Sequence, residues 1–230
     1  AFFALNNTAK VYLQSNAFDP YYSIRETGKH YIGLDESLKT HPQVILKDGS
    51  YHIDGELSVF SHVEKKHPVS DPTKLIKAKD GFIEDDFLHE QYLLIHEAGQ
   101  SCLFVGCAHK GILNIMEGCV SFYGKEPAAV FGGFHMNRKT YSEEEKEAIV
   151  QTALSLRKYK TSFYTCHCTG LRAYQAMRMI MEGQLSYVHC GDEFVLEKKR
   201  GNTYMKMHKM FAWGTVVCFV MTMVTGYRRK

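Results

Sequence analysis

Three histidines of this chain follow apolar runs in the same manner. They are His109 in LFVGCAHKG, His135 in AVFGGFHM and His167 in SFYTCHCTG. Each run reads as a strand, and each histidine stands at its carboxyl end beside small residues. In layered α/β folds, sites form where strand ends open into loops. Imidazoles delivered from three such ends could converge on one metal ion. A single histidine at a strand end is more often a hydrogen-bonded structural residue, and the repetition of context weakens that alternative.

Cysteines flank His167 on both sides. Side chains alternate faces along a strand, so an extended backbone aims His167 one way and Cys166 and Cys168 the other. All three reach one ion only if the backbone leaves the strand there. C-x-C is also not the C-x₂₋₄-C spacing of zinc knuckles. A small structural zinc module built from Cys102, Cys107 and either Cys166 or Cys168 is an alternative. The plainer reading makes most cysteines small buried apolar residues. Thr169-Gly170 opens a helix whose N–H groups would form an anion site for phosphate or carboxylate, unless Thr169 simply caps it. In DDFLHEQYLLI, residues 85–95, Asp85, Asp86, His89 and Glu90 could reach the site, with Glu90 as a substrate-binding group. Such a run is otherwise a solvated loop.

The elements that must position these residues follow from the pattern. Residues 9–14 read as a strand and 15–26 as a short helix or loop. Residues 42–54 read as a hairpin turning at Asp48-Gly49, 56–63 as a strand and 65–79 as a loop. Residues 91–107 read as a hairpin turning at Glu97–Gln100. Strand–helix alternation then begins: helix 111–124, strand 128–134, helix 141–160, strand 161–168, helix 169–184 and strand 185–191. Ser142 and Glu145 form a capping box for the second of these helices. In the third, Leu171, Tyr174, Met177 and Met181 make an apolar stripe, and Gly183 is a C-cap. Hairpins followed by strands joined through helices predict an α/β layered domain.

The bulk numbers bound the function. The chain has 230 residues, 45% of them hydrophobic and 23% charged, with a net charge of +3. Its mean hydropathy is −0.27. These describe a folded chain. No basic face with interleaved aromatics is present, which excludes a dedicated nucleic-acid binder. Seven cysteines, an odd number without scaffold spacing, predict a reducing, cytoplasmic setting. No signal peptide is legible in residues 1–17. The segment 210–227 carries no charge and as a helix would span about 27 Å, near the hydrocarbon thickness of a membrane. Lys206, Lys209, Arg228, Arg229 and Lys230 flank it. The expected organisation is a domain over 1–197, a basic linker over 198–209 and a transmembrane segment over 210–227 that would anchor the chain.

LFVGCAHKGILNI, AVFGGFHM and CHCTGLRA, in this order, resemble the metallo-β-lactamase fold superfamily. The branch is one of dihydropterin / ribofuranosylaminobenzene-phosphate synthase-like metal-dependent hydrolases. DDFLHEQYLLI matches the acidic stretch before its third metal motif. The resemblance covers about residues 1–195. It implies an αββα sandwich with zinc or another divalent metal, one or two ions, at one edge of the sheets. It implies His109 and His167 as metal ligands, with His135 a third ligand or a group beside them, and a phosphorylated or pterin-like anionic substrate. The superfamily's His-x-His-x-Asp-His signature is absent from the chain. The resemblance therefore implies that Ala1 falls just past that signature. On this reading the chain is the C-terminal portion of the sandwich, incomplete or inactive as given. The competing reading is a non-catalytic membrane-tethered module with structural histidines.

Overall fold

The computed structural model of the chain describes residues 2–69, 75–97, 99–197 and 204–206. The first part contains a short helix α1 (Phe2–Leu5), β1 (Val11–Gln14), β2 (Tyr21–Arg25), β3 (Gly28–Tyr31) and β4 (Val44–Lys47). Next come β5 (Tyr51–His52), β6 (Leu57–Ser61), β7 (Leu75–Ala78), β8 (Phe82–Glu84), β9 (Gln91–Glu97) and β10 (Gln100–Phe104). The second part alternates: α2 (Ile112–Tyr123), β11 (Ala129–Gly132), α3 (Glu143–Leu156), β12 (Ser162–Thr165), α4 (Leu171–Met181) and β13 (Leu185–Tyr187). β14 (Val195–Glu197) and β15 (Tyr204–Lys206) pair antiparallel, so a strand lies inside the stretch 198–209. The segment 210–227 lies outside the described residues. Among those described, no helix is long and apolar enough to cross a membrane.

A seven-stranded sheet of order β13-β12-β11-β10-β9-β6-β5 is the frame of the molecule. β10 to β13 run parallel, each joined to the next through a helix, and β9, β6 and β5 extend the sheet antiparallel. The alternation of the β9–β10 hairpin divides its side chains between the two faces. Tyr92, Leu94, Leu103 and Val105 enter a core with Ile115 and Met116 of α2, Ala153 and Leu156 of α3, and Met177 and Met181 of α4. Leu93, Ile95, Cys102 and Phe104 belong to a separate apolar cluster with Leu57, Val59 and Phe131. Each fully buried Leu, Met or Phe contributes about 2 kcal/mol to holding its layer. Ser142 caps α3 with the reciprocal Glu145 bonds of a capping box.

In the first hundred residues the strands expected at 9–14, 56–63 and 91–97 form, and other segments depart from their sequence pattern. Residues 42–54 do not form a hairpin. β4 pairs parallel with β1, while β5 pairs with β6. The turn at Gly49 exists, but buried Gln14 clamps it, donating to the Gly49 carbonyl at 3.0 Å and accepting its N–H at 2.9 Å. That clamp joins the turn to β1 and sends its two arms to different sheets. Residues 21–25, expected as helix or loop, are a strand in an antiparallel sheet of order β3-β2-β7-β8. β7 falls inside the expected loop 65–79. In α4, Leu171 is exposed; Ala173 takes its place in the buried stripe, and the helix ends at Met181 rather than at Gly183.

Candidate metal centre

β10, β11 and β12 are neighbours and parallel, so their carboxyl ends open on the same edge of the sheet. Each end leaves its strand through a non-glycine residue at positive φ: Ala108 at 52°, His135 at 54° and His167 at 48°. L-residues avoid this region at a cost of roughly 1–2 kcal/mol each. Three such residues at adjacent strand ends concentrate backbone strain at a site, as functional sites do. The rings of His109 and His135 stand 4.0 Å apart between centroids. Phe87 stacks on the other side of His109 at 4.8 Å, and His109 is buried.

His167 begins a 3-10 turn over His167–Thr169 that follows the last strand residue, Thr165. The backbone thus leaves the strand where alternation would have turned both cysteines away. Cys168 joins His167, and Cys107 meets them from the end of β10. One donor atom from each of Cys107, His167 and Cys168 lies within 4.8 Å of the others. Cys166 stays outside this group, and Cys102 faces the other side of the sheet. The zinc module of Cys102 with Cys107 is therefore not formed. The alternation argument that excluded Cys168 fails because it assumed an extended backbone.

The thiol of Cys107 is the hub of the cluster. Its hydrogen bond with Cys168 holds it far below the ordinary cysteine range, with help from His109, His135 and His167 and against burial. The Cys168 thiol is pushed up by the same hydrogen bond and by burial. The two thiols titrate as a coupled pair, one shifted down and the other up. Burial raises Cys166 as well.

Glu90 is buried and its carboxylate is fully used. Oε1 accepts the His109 N–H at 2.8 Å; Oε2 accepts the Lys110 N–H at 3.1 Å and the Tyr92 hydroxyl at 2.5 Å. It holds the turn that carries His109 and also lines the cavity beside the cluster. Thr169 and Gly170 are tied into the backbone network of the strand ends. The Thr169 hydroxyl accepts the Phe134 N–H at 2.8 Å, and the backbone N–H groups of the two residues bond to Cys166 and His167 carbonyls. Thr169 ties the β12 end to the β11 end, and so holds His167 and His135 in one constellation.

Beside the cluster lies a cavity of about 390 Å³, walled by Tyr12, Leu13, Tyr21, Val59 and Leu93, with Cys107 and His109 at its lining. Asp85 and His89 line it too. Burial pushes the Asp85 carboxyl up and the His89 imidazole down. Asp85 accepts the Phe87 N–H at 2.8 Å, which fixes the ring stacked on His109. The sequence reading did not select Phe87, and it weighed Cys107 and Cys168 only as ligands of a zinc module with Cys102. The positive φ that brings them in has no signature in residue type.

The fold has a solved counterpart. The crystal structure of Tm1679, a metal-dependent hydrolase of the β-lactamase superfamily, matches with a TM-score of 0.63 at 24% identity. The match covers 79% of this chain and 69% of that one. The chain is thus a mixed α/β protein that shares the fold of that hydrolase. The uncharacterized protein MJ0448 of Methanocaldococcus jannaschii is 28% identical over 189 residues, 79% of this chain. The chain spans 66% of that relative's length, just under two thirds. No family model matches the chain.

Proposed function

We propose that the chain carries a metal-binding end of a hydrolase that acts on a small anionic molecule, phosphorylated or pterin-like. The observation that carries this reading is the delivery of His109, His135 and His167 from three adjacent parallel strand ends, with the first two rings 4.0 Å apart. Imidazole and thiol donors suit zinc, and the likeness to a metal-dependent hydrolase favours a divalent ion. Such an ion supplies Lewis acidity and a nucleophilic water at neutral pH.

The chain's own residues do the positioning. Glu90 fixes the turn bearing His109, Thr169 links the ends bearing His135 and His167, and Phe87 excludes water from one face of His109. The 390 Å³ cavity offers an apolar wall for the body of a substrate whose reacting group meets the histidines. The test is metal analysis of the full chain together with hydrolysis assays on phosphodiester and lactone substrates. Bound zinc that His109→Ala and His135→Ala each weaken about tenfold or more supports the reading. A chain that holds no divalent metal in equilibrium dialysis overturns it.

A further inference from the structure

The strand ends gather more sulfur than a histidine site needs. Cys107, His167 and Cys168 place one donor each within 4.8 Å of one another. That spread suits three atoms held at zinc–sulfur and zinc–nitrogen distances of about 2.3 and 2.0 Å around one ion. Their access differs in a useful order: Cys107 is buried, Cys168 half-buried and His167 exposed, so an ion can enter from the His167 side.

The surroundings are shaped for the second sulfur. A Cβ on Gly133 would collide with Cys168 Sγ, so the missing side chain is what admits it. The Cys168 thiol donates to the Cys107 carbonyl at 3.5 Å, and its own carbonyl accepts the Asn137 N–H at 2.8 Å. These contacts hold Cys168 turned toward Cys107. The left-handed His167 in turn puts two consecutive side chains on one side, which a strand cannot do.

We propose that the metal held here is a soft, thiolate-bound ion, with Cys107 Sγ, Cys168 Sγ and a ring nitrogen of His167 as its ligands. The proposal rests on the reading that this edge binds a divalent metal, and it names the ligand set as two sulfurs and one imidazole. With both cysteines bound as thiolates, the ion's two positive charges are balanced by two thiolates. Thiolate ligation selects zinc over magnesium, calcium or manganese.

The test is an anaerobic cobalt(II) titration of the full chain, reduced with a phosphine. One ion per chain with an intense thiolate-to-cobalt charge-transfer band in the near ultraviolet is the expected result. Cys107→Ser and Cys168→Ser should each remove about half of that band, and Cys102→Ser none of it. A second measurement needs no variant: alkylation mapped by mass spectrometry, with and without zinc. Zinc should protect Cys107 and Cys168 and leave exposed Cys190 reactive. Cobalt bound at full stoichiometry without the charge-transfer band, or zinc that leaves Cys107 and Cys168 as reactive as before, overturns this proposal and leaves the metal reading standing. A chain that retains neither cobalt nor zinc overturns both.

Discussion

The two faces of the seven-stranded sheet meet different neighbours. On one face, α2, α3 and α4 cover Tyr92, Leu94, Leu103 and Val105 in a core whose central residues are essentially inaccessible. On the other, Leu57, Val59 and Leu93 border the 390 Å³ cavity, together with β1 residues and Tyr21. One strand supplies both: β9 sends Tyr92 and Leu94 to the first face and Leu93 and Ile95 to the second. The helix-covered face is the fuller of the two, with a cavity of about 70 Å³ beside Ile112, Phe134 and Ile149, and the site at its strand ends rests on that packing. The other face leaves space, and that space opens on the same histidine edge. Rigidity on one side and room on the other suit a site that must hold ligands still while admitting a second molecule.

The comparison breaks most sharply at Glu90, where the two faces join. Glu90→Ala leaves the N–H groups of His109 and Lys110 and the Tyr92 hydroxyl without their acceptor. We expect a loss on the order of 4 kcal/mol, read by urea denaturation followed by far-ultraviolet circular dichroism. Glu90→Gln keeps an acceptor oxygen and should recover part of it.

A pair of added side chains sharpens the contrast in packing. Ala153→Leu on the closed face should cost roughly 1–3 kcal/mol by overpacking, whereas Val59→Leu beside the cavity should change stability by less than about 1 kcal/mol. Equal effects in melting experiments would mean that the two faces are equally full.

Thr169→Ala removes the acceptor of the buried Phe134 N–H and the contact with Thr165 at 2.5 Å. A loss of about 2 kcal/mol is expected, with Thr169→Ser close to the parent.

The smallest effect belongs to His96, whose ring bridges Ser58 at 3.0 Å and Ser101 at 2.7 Å. Burial lowers its pKa from the ordinary 6.5. Below that value the unfolded chain takes up a proton that the folded chain resists. Stability should therefore fall slightly as pH drops from about 6.5 toward the depressed folded value, then level off. His96→Gln should flatten that slope in pH-dependent denaturation.

Much of the second half was legible in the chain itself. Period-two and helical patterns mark β9 to β13 and α2 to α4, and the Ser142–Glu145 box fixes one helix start. The first half was less legible because its partners are distant: Gln14 clamps Gly49 across 35 positions, and β1 finds β4 across an intervening antiparallel hairpin. The histidines could be selected from context. Glu90, Thr169 and Gly170 were also selected, but their hydrogen bonds to the backbone could not be read from the sequence, because such partners are set by the fold.

The sequence by itself determined which residues end the three strands: histidines beside glycine, alanine and cysteine, each after an apolar run that has to be buried. Burial of apolar runs is local in its demand, so it can be read from residue type and period. Only the tertiary structure decided which neighbours those ends would share. Left-handed turns at Ala108, His135 and His167 rotate the chain after each strand, and the clearance at Gly133 admits the Cys168 sulfur. A turn of that kind reverses the alternation of side chains at a single residue, and nothing in the residue's identity announces it.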